Sequence, residues 1–174
     1  MTLLNSSTYE PHPPDPGRKT AVLIVAGRDT PAEQAFKAIR ALYGDFYSQV
    51  IFLSVGLMDY AVIDAQDFKG SEVPTRLKEA AHGVIQQTVN LAKQAGMETL
   101  ICIAVGTDPA DAVERQAGEI SKACPGSMFF MGKLVFPRKR WWHAFLHGSR
   151  EEDIQNRLER RGLPLGILPV LLPG

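Results

Sequence analysis

The sequence predicts a doubly wound α/β fold, a parallel sheet covered by helices on both faces. Segments typical of strands and of helices alternate from Lys19 to the end of the 174-residue chain. The strand segments are continuous apolar runs, which are typical of parallel strands buried on both faces. The length suits one domain, and 45% hydrophobic with 22% charged residues is the composition of an ordinary globular protein.

Charge and cysteine content exclude several classes of function. Lys plus Arg equals Asp plus Glu at 19 each, so no net field attracts nucleic acid and no nucleic acid partner is expected. Cys102 and Cys124 are too few for a disulfide scaffold and suggest a reducing compartment. The longest apolar runs fall short of the roughly 18 to 20 residues that span a bilayer. The start of the chain lacks the features of a secretory signal, so we expect no export.

Residues 1–18 are predicted to be a flexible Pro-rich linker or tail, and residues 19–174 are predicted to form the α/β domain. Four prolines between Pro11 and Pro16 forbid a helix and favour an extended segment. The branched apolar run at 20–26 is typical of a buried strand, so the domain is expected to begin with one.

The first helix is predicted from a capping box of Thr30 and Glu33, with Pro31 at the first helical position. The second strand is expected at 49–56. A second helix follows, because apolar residues recur at helical spacing. These residues are Leu77, Ala81, Ile85, Val89 and Ala92.

The third strand is expected at 99–105, and Asp108 with Pro109 begins the third helix. The fourth strand is expected at 127–131. The inward face of the third helix is predicted to carry Val113, Ala117, Ile120 and Cys124.

The last helix and strand complete the pattern. Ser149 and Glu152 form a second capping box, which predicts that the fourth helix begins there. The last strand is expected at 165–172. It is expected at an edge of the sheet, because Pro169 has no backbone N–H to donate to a neighbouring strand.

The familiar nucleotide and metal motifs fail on inspection. Gly126 and Gly132 enclose five residues where a P-loop has four, and Leu134 stands where that motif needs Ser or Thr. No Gly-x-Gly-x-x-Gly follows the first strand. His143 and His147 are spaced as metal ligands on a helix, but no carboxylate or cysteine adjoins them, so they are interpreted as ordinary polar residues. With no nucleophile elbow and no recognisable acid–base pair, a non-catalytic protein is expected.

The segment 132–150 interleaves basic and aromatic side chains and has no acidic residue. That combination suits an anion site, a lipid headgroup surface or a protein interface. The alternative is that the aromatic rings fold back over the core while the charges are merely solvated. The residues concerned are Lys133, Phe136, Arg138, Lys139, Arg140, Trp141, Trp142, Phe145 and Arg150.

Gly132, followed by Gly148 and Ser149 after the fourth strand, resembles the pattern of the universal stress protein family, as does the run at 105–109 that opens the third helix. The resemblance covers residues 19–172. It implies a five-stranded parallel sheet in the order 3-2-1-4-5, the universal stress protein-like fold.

The chain departs from the nucleotide-binding members of that family. Those members have Gly, two residues, Gly, nine residues, then Gly and Ser or Thr. Val135 stands at the middle glycine here, and the following stretch is three residues longer. Ala26 stands where an Asp usually ends the first strand. No cofactor is therefore expected, and ATP or another adenine nucleotide is kept as the alternative.

A second resemblance is carried by seven short segments, at 20–25, 132–136, 140–142, 146–147, 154–155, 162–164 and 168–170. Together they resemble the cytoplasmic C-terminal domain of bacterial amino acid permeases of the amino acid, polyamine and organocation transporter superfamily. The resemblance implies a cytoplasmic regulatory or assembly domain, tethered to the inner membrane face through a membrane domain that would be its partner. The alternatives are a stand-alone universal stress protein-like nucleotide-binding protein and, more remotely, a small hydrolase.

The order 3-2-1-4-5 places a ligand crevice outside the carboxyl ends of the first and fourth strands, between two helix amino termini that favour an anion. We expect Trp141 and Trp142 to contact the membrane domain or a second copy. The apolar last strand, at the edge of the sheet, further predicts a homodimer. The expected crevice residues are Arg28, Gly132, Lys133, Arg138, Arg140, Gly148 and Ser149.

Overall fold

The computed structural model describes residues 9–10, 12–26, 31–57, 73–135 and 143–171, which form a sheet with helices on both faces. The strands are β1 (Tyr9–Glu10), β2 (Thr20–Val25), β3 (Gln49–Leu57), β4 (Glu98–Gly106), β5 (Met128–Val135) and β6 (Leu165–Leu171). The helices are α1 (Ala32–Tyr43), α2 (Val73–Gln94), α3 (Pro109–Ala123) and α4 (His143–Arg160).

The doubly wound fold predicted from the sequence is confirmed. The strands lie in the order β1-β4-β3-β2-β5-β6. From β2 to β6 every pairing is parallel, and the order of these strands by chain position is 3-2-1-4-5. β6 lies at one edge, where Pro169 is tolerated as predicted.

Alternate residues of the central strand β2 divide the core between the two faces of the sheet. Leu23 and Val25 pack on the face covered by α1 and α2. Val22 and Ile24 pack on the opposite face, against α3 and α4. All six residues of β2 are buried, which explains why the strand is apolar throughout.

Several element boundaries differ from the sequence prediction. α1 begins at Ala32, one residue late, because Pro31 has the non-helical angles φ −77° and ψ 68° and takes the N-cap position. α4 begins at His143, so Ser149 lies inside the helix and the prediction that it starts the helix was wrong. β5 continues to Val135, since its last residues pair with β6 and need no turn.

Residues 9–10 and 12–18 lie against the sheet, and we call them the strap. β1 pairs antiparallel with β4, Tyr9 opposite Cys102. Further along, the side-chain oxygen of Gln49 accepts a hydrogen bond from the backbone N–H of Asp15 at 3.0 Å. Pro14 is buried. That residues 1–18 form a flexible linker stays a prediction. The structure shows that the strap packs against the sheet.

None of the helices in the described parts of the chain is long and apolar enough to cross a lipid bilayer.

Candidate functional site

The topology creates a crevice at the carboxyl edge of the sheet, between β2 and β5. After β2 the chain turns to α1 on one face, whereas after β5 it turns to α4 on the other. Because these two connections leave the sheet on opposite faces, a gap remains outside the carboxyl ends of the two strands. Ligands bind in such a gap in open α/β sheets. The sequence analysis predicts the ligand site at this place, and we call it the carboxyl-edge crevice.

Gly132 lies beneath the first turn of α1, near the carboxyl end of β5. It lies in β5, opposite Leu168 of β6, and is buried. A Cβ atom at this position would meet the Ala35 Cβ and the Pro31 Cγ, each at 3.0 Å. Close packing of the helix on the strand therefore accounts for this glycine, without any role in a phosphate-binding loop.

The amino terminus of α1 supplies backbone donors to the crevice. Its first N–H groups lack intrahelical acceptors, and the N-cap Pro31 provides no side-chain hydrogen bond to them. The positive end of the helix dipole lies here as well. Lys133, the next residue along β5, is exposed and adds a full positive charge near this edge.

The amino terminus of α3 is already occupied by a carboxylate. Asp108 accepts hydrogen bonds from the backbone N–H of Ala110 at 2.9 Å and of Asp111 at 3.5 Å. The same carboxylate lies 3.2 Å from Arg157 of α4. Since an internal anion fills this terminus, the α1 terminus is the better place for an external one.

An ion-pair network ties α3 to α4. Arg157 lies 3.4 Å from Glu114 and 3.3 Å from Asp153 in addition to Asp108, and Arg161 lies 2.6 Å from Glu114. The hydrogen bond from Arg161, followed by that from Arg157, holds the pKa of Glu114 below its ordinary value.

The sequence analysis did not find this network. The spacing of Asp153 and Arg157 at i and i+4 was a local signal. The contacts of Arg157 with α3, however, join residues 43 and 49 positions apart. Such pairs become visible only once the two helices are known to be neighbours.

Ala26 follows β2 directly and is buried at 6% exposure. The end of this strand therefore carries a methyl group, where the resembled nucleotide binders carry a carboxylate. Val135 is the last residue of β5 and pairs with Leu171, so it belongs to a strand and not to a glycine-rich loop.

The structure brings only part of the predicted site together. Gly132 and Lys133 lie in β5 near the carboxyl edge of the sheet, and their role in binding stays a prediction. Gly148 and Ser149 lie within α4, and their side chains are not among those described. Outside the described residues fall Arg28, Arg138, Arg140, Trp141 and Trp142, whose roles stay predictions.

Both cysteines are buried and free. Burial raises the pKa of the Cys102 thiol to about 12, so this group is protonated at neutral pH. Burial also raises the pKa of Cys124. Among the residues that the structure describes, no three His, Cys, Asp or Glu side chains cluster as metal ligands would.

No family model matches the chain, and no curated protein does. Similar solved structures exist. One is a protein of the universal stress protein family from Burkholderia pseudomallei, with 17% identity, a TM-score of 0.55, and coverage of 86% of this chain and 96% of that one. Another is a universal stress protein in complex with cAMP, with 14% identity, a TM-score of 0.50, and coverage of 90% and 98%. The chain therefore has the universal stress protein-like fold.

Proposed function

We propose that this chain is a non-catalytic regulatory or assembly domain of an amino acid permease-type transporter. In this proposal the domain lies in the cytoplasm and is tethered to the inner face of the membrane by a membrane domain that precedes it in the chain. The seven segments that resemble permease C-terminal domains support the proposal, and the universal stress protein-like fold is consistent with it.

The direction of β1 is the structural observation that supports this proposal most. β1 runs antiparallel to β4, with Tyr9 opposite Cys102 and Glu10 opposite Ile101. Going backwards along the chain from Glu10 to Tyr9 therefore leads toward the carboxyl edge of the sheet. A membrane domain attached ahead of β1 would be reached from the edge that holds the crevice.

The basic and aromatic segment begins at the same edge. β5 ends at Val135 and α4 begins at His143, which fixes both ends of the intervening stretch at the carboxyl edge. In the proposed arrangement Arg28, Lys133, Arg138 and Arg140 receive an anion. Trp141 and Trp142 then make an apolar contact with the membrane domain or with a second copy.

The test replaces Trp141 and Trp142 with alanine in the intact transporter. We expect loss of assembly or altered transport, while the thermal stability of the 174-residue domain is unchanged. The matched control replaces Leu42 and Phe46, which are 67% and 57% exposed near the end of α1 at the opposite edge, and should have no effect. Wild-type transport and assembly in the tryptophan variant would contradict the proposal. Unfolding of the variant domain would instead show that the rings cover the core.

A second candidate function is nucleotide binding. The α1 terminus, to which Pro31 gives no side-chain hydrogen bond, favours it, as does the solved universal stress protein in complex with cAMP. Against it stand Ala26 in place of a carboxylate and the side chain of Val135 in place of a glycine.

Calorimetry with ATP and with cAMP separates the two functions. We expect feeble or absent binding of either nucleotide. Micromolar affinity that is lost in Ser149→Ala and in Lys133→Ala, but kept in Lys122→Ala on the surface of α3, would establish the second function in place of the first.

A further inference from the structure

The two helices on one face of the sheet, α3 and α4, run parallel but begin at different heights. Arg157 of α4 lies 3.4 Å from Glu114 of α3, and one turn further along α4 Arg161 lies 2.6 Å from the same carboxylate. A Cβ at Gly118, one turn further along α3, would lie 3.6 Å from the Arg161 guanidinium. Both helices therefore advance in the same direction, with Arg157 about level with Glu114.

Because of this offset, the first turns of α4 extend beyond α3. α4 begins at His143, fourteen residues before Arg157, whereas α3 begins at Pro109, five residues before Glu114. At a rise of about 1.5 Å per residue, about 12 Å of α4 lies beyond the first residue of α3. That length corresponds to residues 143–150, which we call the projecting turns. Since α3 itself begins just after β4 ends, the projecting turns extend past the carboxyl edge of the sheet.

The part of α4 that lies level with α3 differs in charge from the sequence before it. Ile154 and Leu158 of this packed part are buried. All four acidic residues of α4 belong to it as well, beginning with Glu151. From residue 132 to residue 150, by contrast, the sequence has five basic residues and no acidic one. The change from basic to acidic sequence therefore coincides with the point where α4 meets α3.

The described residues at the end of β5 and β6 add exposed apolar groups to this edge. Lys133 of β5 is exposed. Val135, the last residue of β5, is 39% exposed, and its pairing partner Leu171 in β6 is 64% exposed. A cation beside apolar side chains suits a bilayer surface, where anionic headgroups lie above hydrocarbon. The exposed apolar residues at the end of α1 adjoin Asp45 instead, whose carboxylate is 92% exposed and would be repelled by such a surface.

We propose that the carboxyl edge of the domain, with the projecting turns of α4 and the basic segment before them, docks on the surface of a bilayer that contains anionic phospholipid. Clusters of roughly four to eight Lys and Arg residues are typical of anionic-lipid binding. Trp141 and Trp142 belong to the same segment, and tryptophan is enriched where a bilayer meets water. Headgroup phosphates are then the anion that the basic residues receive. Only the presence of a bilayer beside this edge rests on the proposed function.

Binding of the 174-residue chain to lipid vesicles tests the docking. Vesicles of phosphatidylglycerol and phosphatidylcholine in equal parts are compared with vesicles of phosphatidylcholine alone, by sedimentation and by tryptophan fluorescence. The chain has two tryptophans, Trp141 and Trp142, so its tryptophan emission reports on this segment alone. We expect sedimentation and a blue shift of the emission with the anionic vesicles at low salt, and the loss of both effects at high salt.

Two triple variants with the same change in charge locate the contact. The first is Arg138→Gln, Lys139→Gln and Arg140→Gln. The matched control changes three lysines that are exposed on α1, α2 and α3, namely Lys37→Gln, Lys93→Gln and Lys122→Gln. Each basic residue near an anionic surface contributes about fivefold to binding, so we expect about a 100-fold loss in the first variant. The control should lose less than about fivefold.

Wild-type protein that neither sediments with the anionic vesicles nor changes its emission would overturn the docking. Equal losses in the two triple variants would overturn it as well, because they would show attraction by overall charge without a defined surface. So would sedimentation without any change in tryptophan emission. A free chain of 19.1 kDa that binds vesicles would contradict the tether to a membrane domain and leave the docking intact. A tethered chain whose isolated domain binds no vesicles would contradict the docking alone.

Discussion

At the scale of single residues, Gly132 holds the carboxyl end of β5 against the first turn of α1. The sequence marked this glycine for its place in a nucleotide-loop pattern, but the structure accounts for it by contact with Pro31 and Ala35. Such a requirement arises between segments about 100 residues apart, so no local pattern around Gly132 reveals it. The sequence alone showed that the nucleotide-loop pattern is incomplete, because Val135 and Ala26 stand where the pattern has Gly and Asp. In the structure Val135 ends a strand and Ala26 is buried, which agrees with that conclusion.

Replacing Gly132 with alanine should therefore destabilise the domain. The added Cβ would meet two atoms at 3.0 Å, and overpacking of this kind costs about 1–3 kcal/mol. Urea unfolding measures the change. The control is Gly83→Ala in α2, where a Cβ would have open space, and that change should stabilise by about 0.5–1 kcal/mol. An unchanged free energy of unfolding in Gly132→Ala would show that α1 yields without cost.

At the scale of elements, the network around Arg157 fastens α4 to α3. Glu114 is its most connected carboxylate, since it contacts both Arg157 and Arg161. Its pKa is lowered in the folded protein, so its contribution to stability is present above the ordinary value near 4.5 and is lost as the pH falls through the lowered pKa.

Replacing Glu114 with glutamine should reduce the loss of unfolding free energy as the pH falls, which we call the acid limb of the stability curve. The effect should stay below about 1 kcal/mol, because the network is open to solvent. Unfolding free energies in urea, measured between about pH 3 and 6, test this expectation. Glu119→Gln on the same helix removes a carboxylate that, within the described part of the chain, pairs with Lys122 alone, and it should leave the limb as in wild type. Identical curves for both variants would argue against the network.

The elements themselves were largely predictable, because each strand and helix carries its own apolar period. Asp108 and Pro109 marked the start of α3 correctly, since capping is decided within one turn. The start of α4 was misplaced at Ser149. A capping box marks a place where a helix can begin, but it does not exclude a helix that has already begun upstream, here at His143. The course of the strap was not predicted at all, since the hydrogen bond between His12 and Glu98 joins residues 86 positions apart.

At the scale of the whole molecule, the sheet has one edge covered in part by the strap and one edge formed by β6. Leu171 of β6 is 64% exposed, and Val135 beside it is 39% exposed. An apolar strand at an open edge favours pairing with a second copy about a two-fold axis.

We therefore expect a dimer in light scattering at tens of micromolar. Leu171→Lys should shift the species toward monomer, because a charge at the edge opposes pairing. The control Leu42→Lys changes a residue that is equally exposed, at 67%, but lies at the end of α1. A wild-type monomer at that concentration, which is ample for an interface of standard size, would refute the dimer.

The central claim is that this domain belongs to a membrane transporter, and the native polypeptide tests it most directly. An antibody against residues 143–171 can be applied to membrane and soluble fractions of the source cells after a high-salt wash. The account predicts a polypeptide far heavier than 19.1 kDa that stays in the membrane fraction. Roughly a dozen apolar segments of about 20 residues should precede this domain in its coding sequence. A free protein of 19.1 kDa in the soluble fraction would contradict the claim.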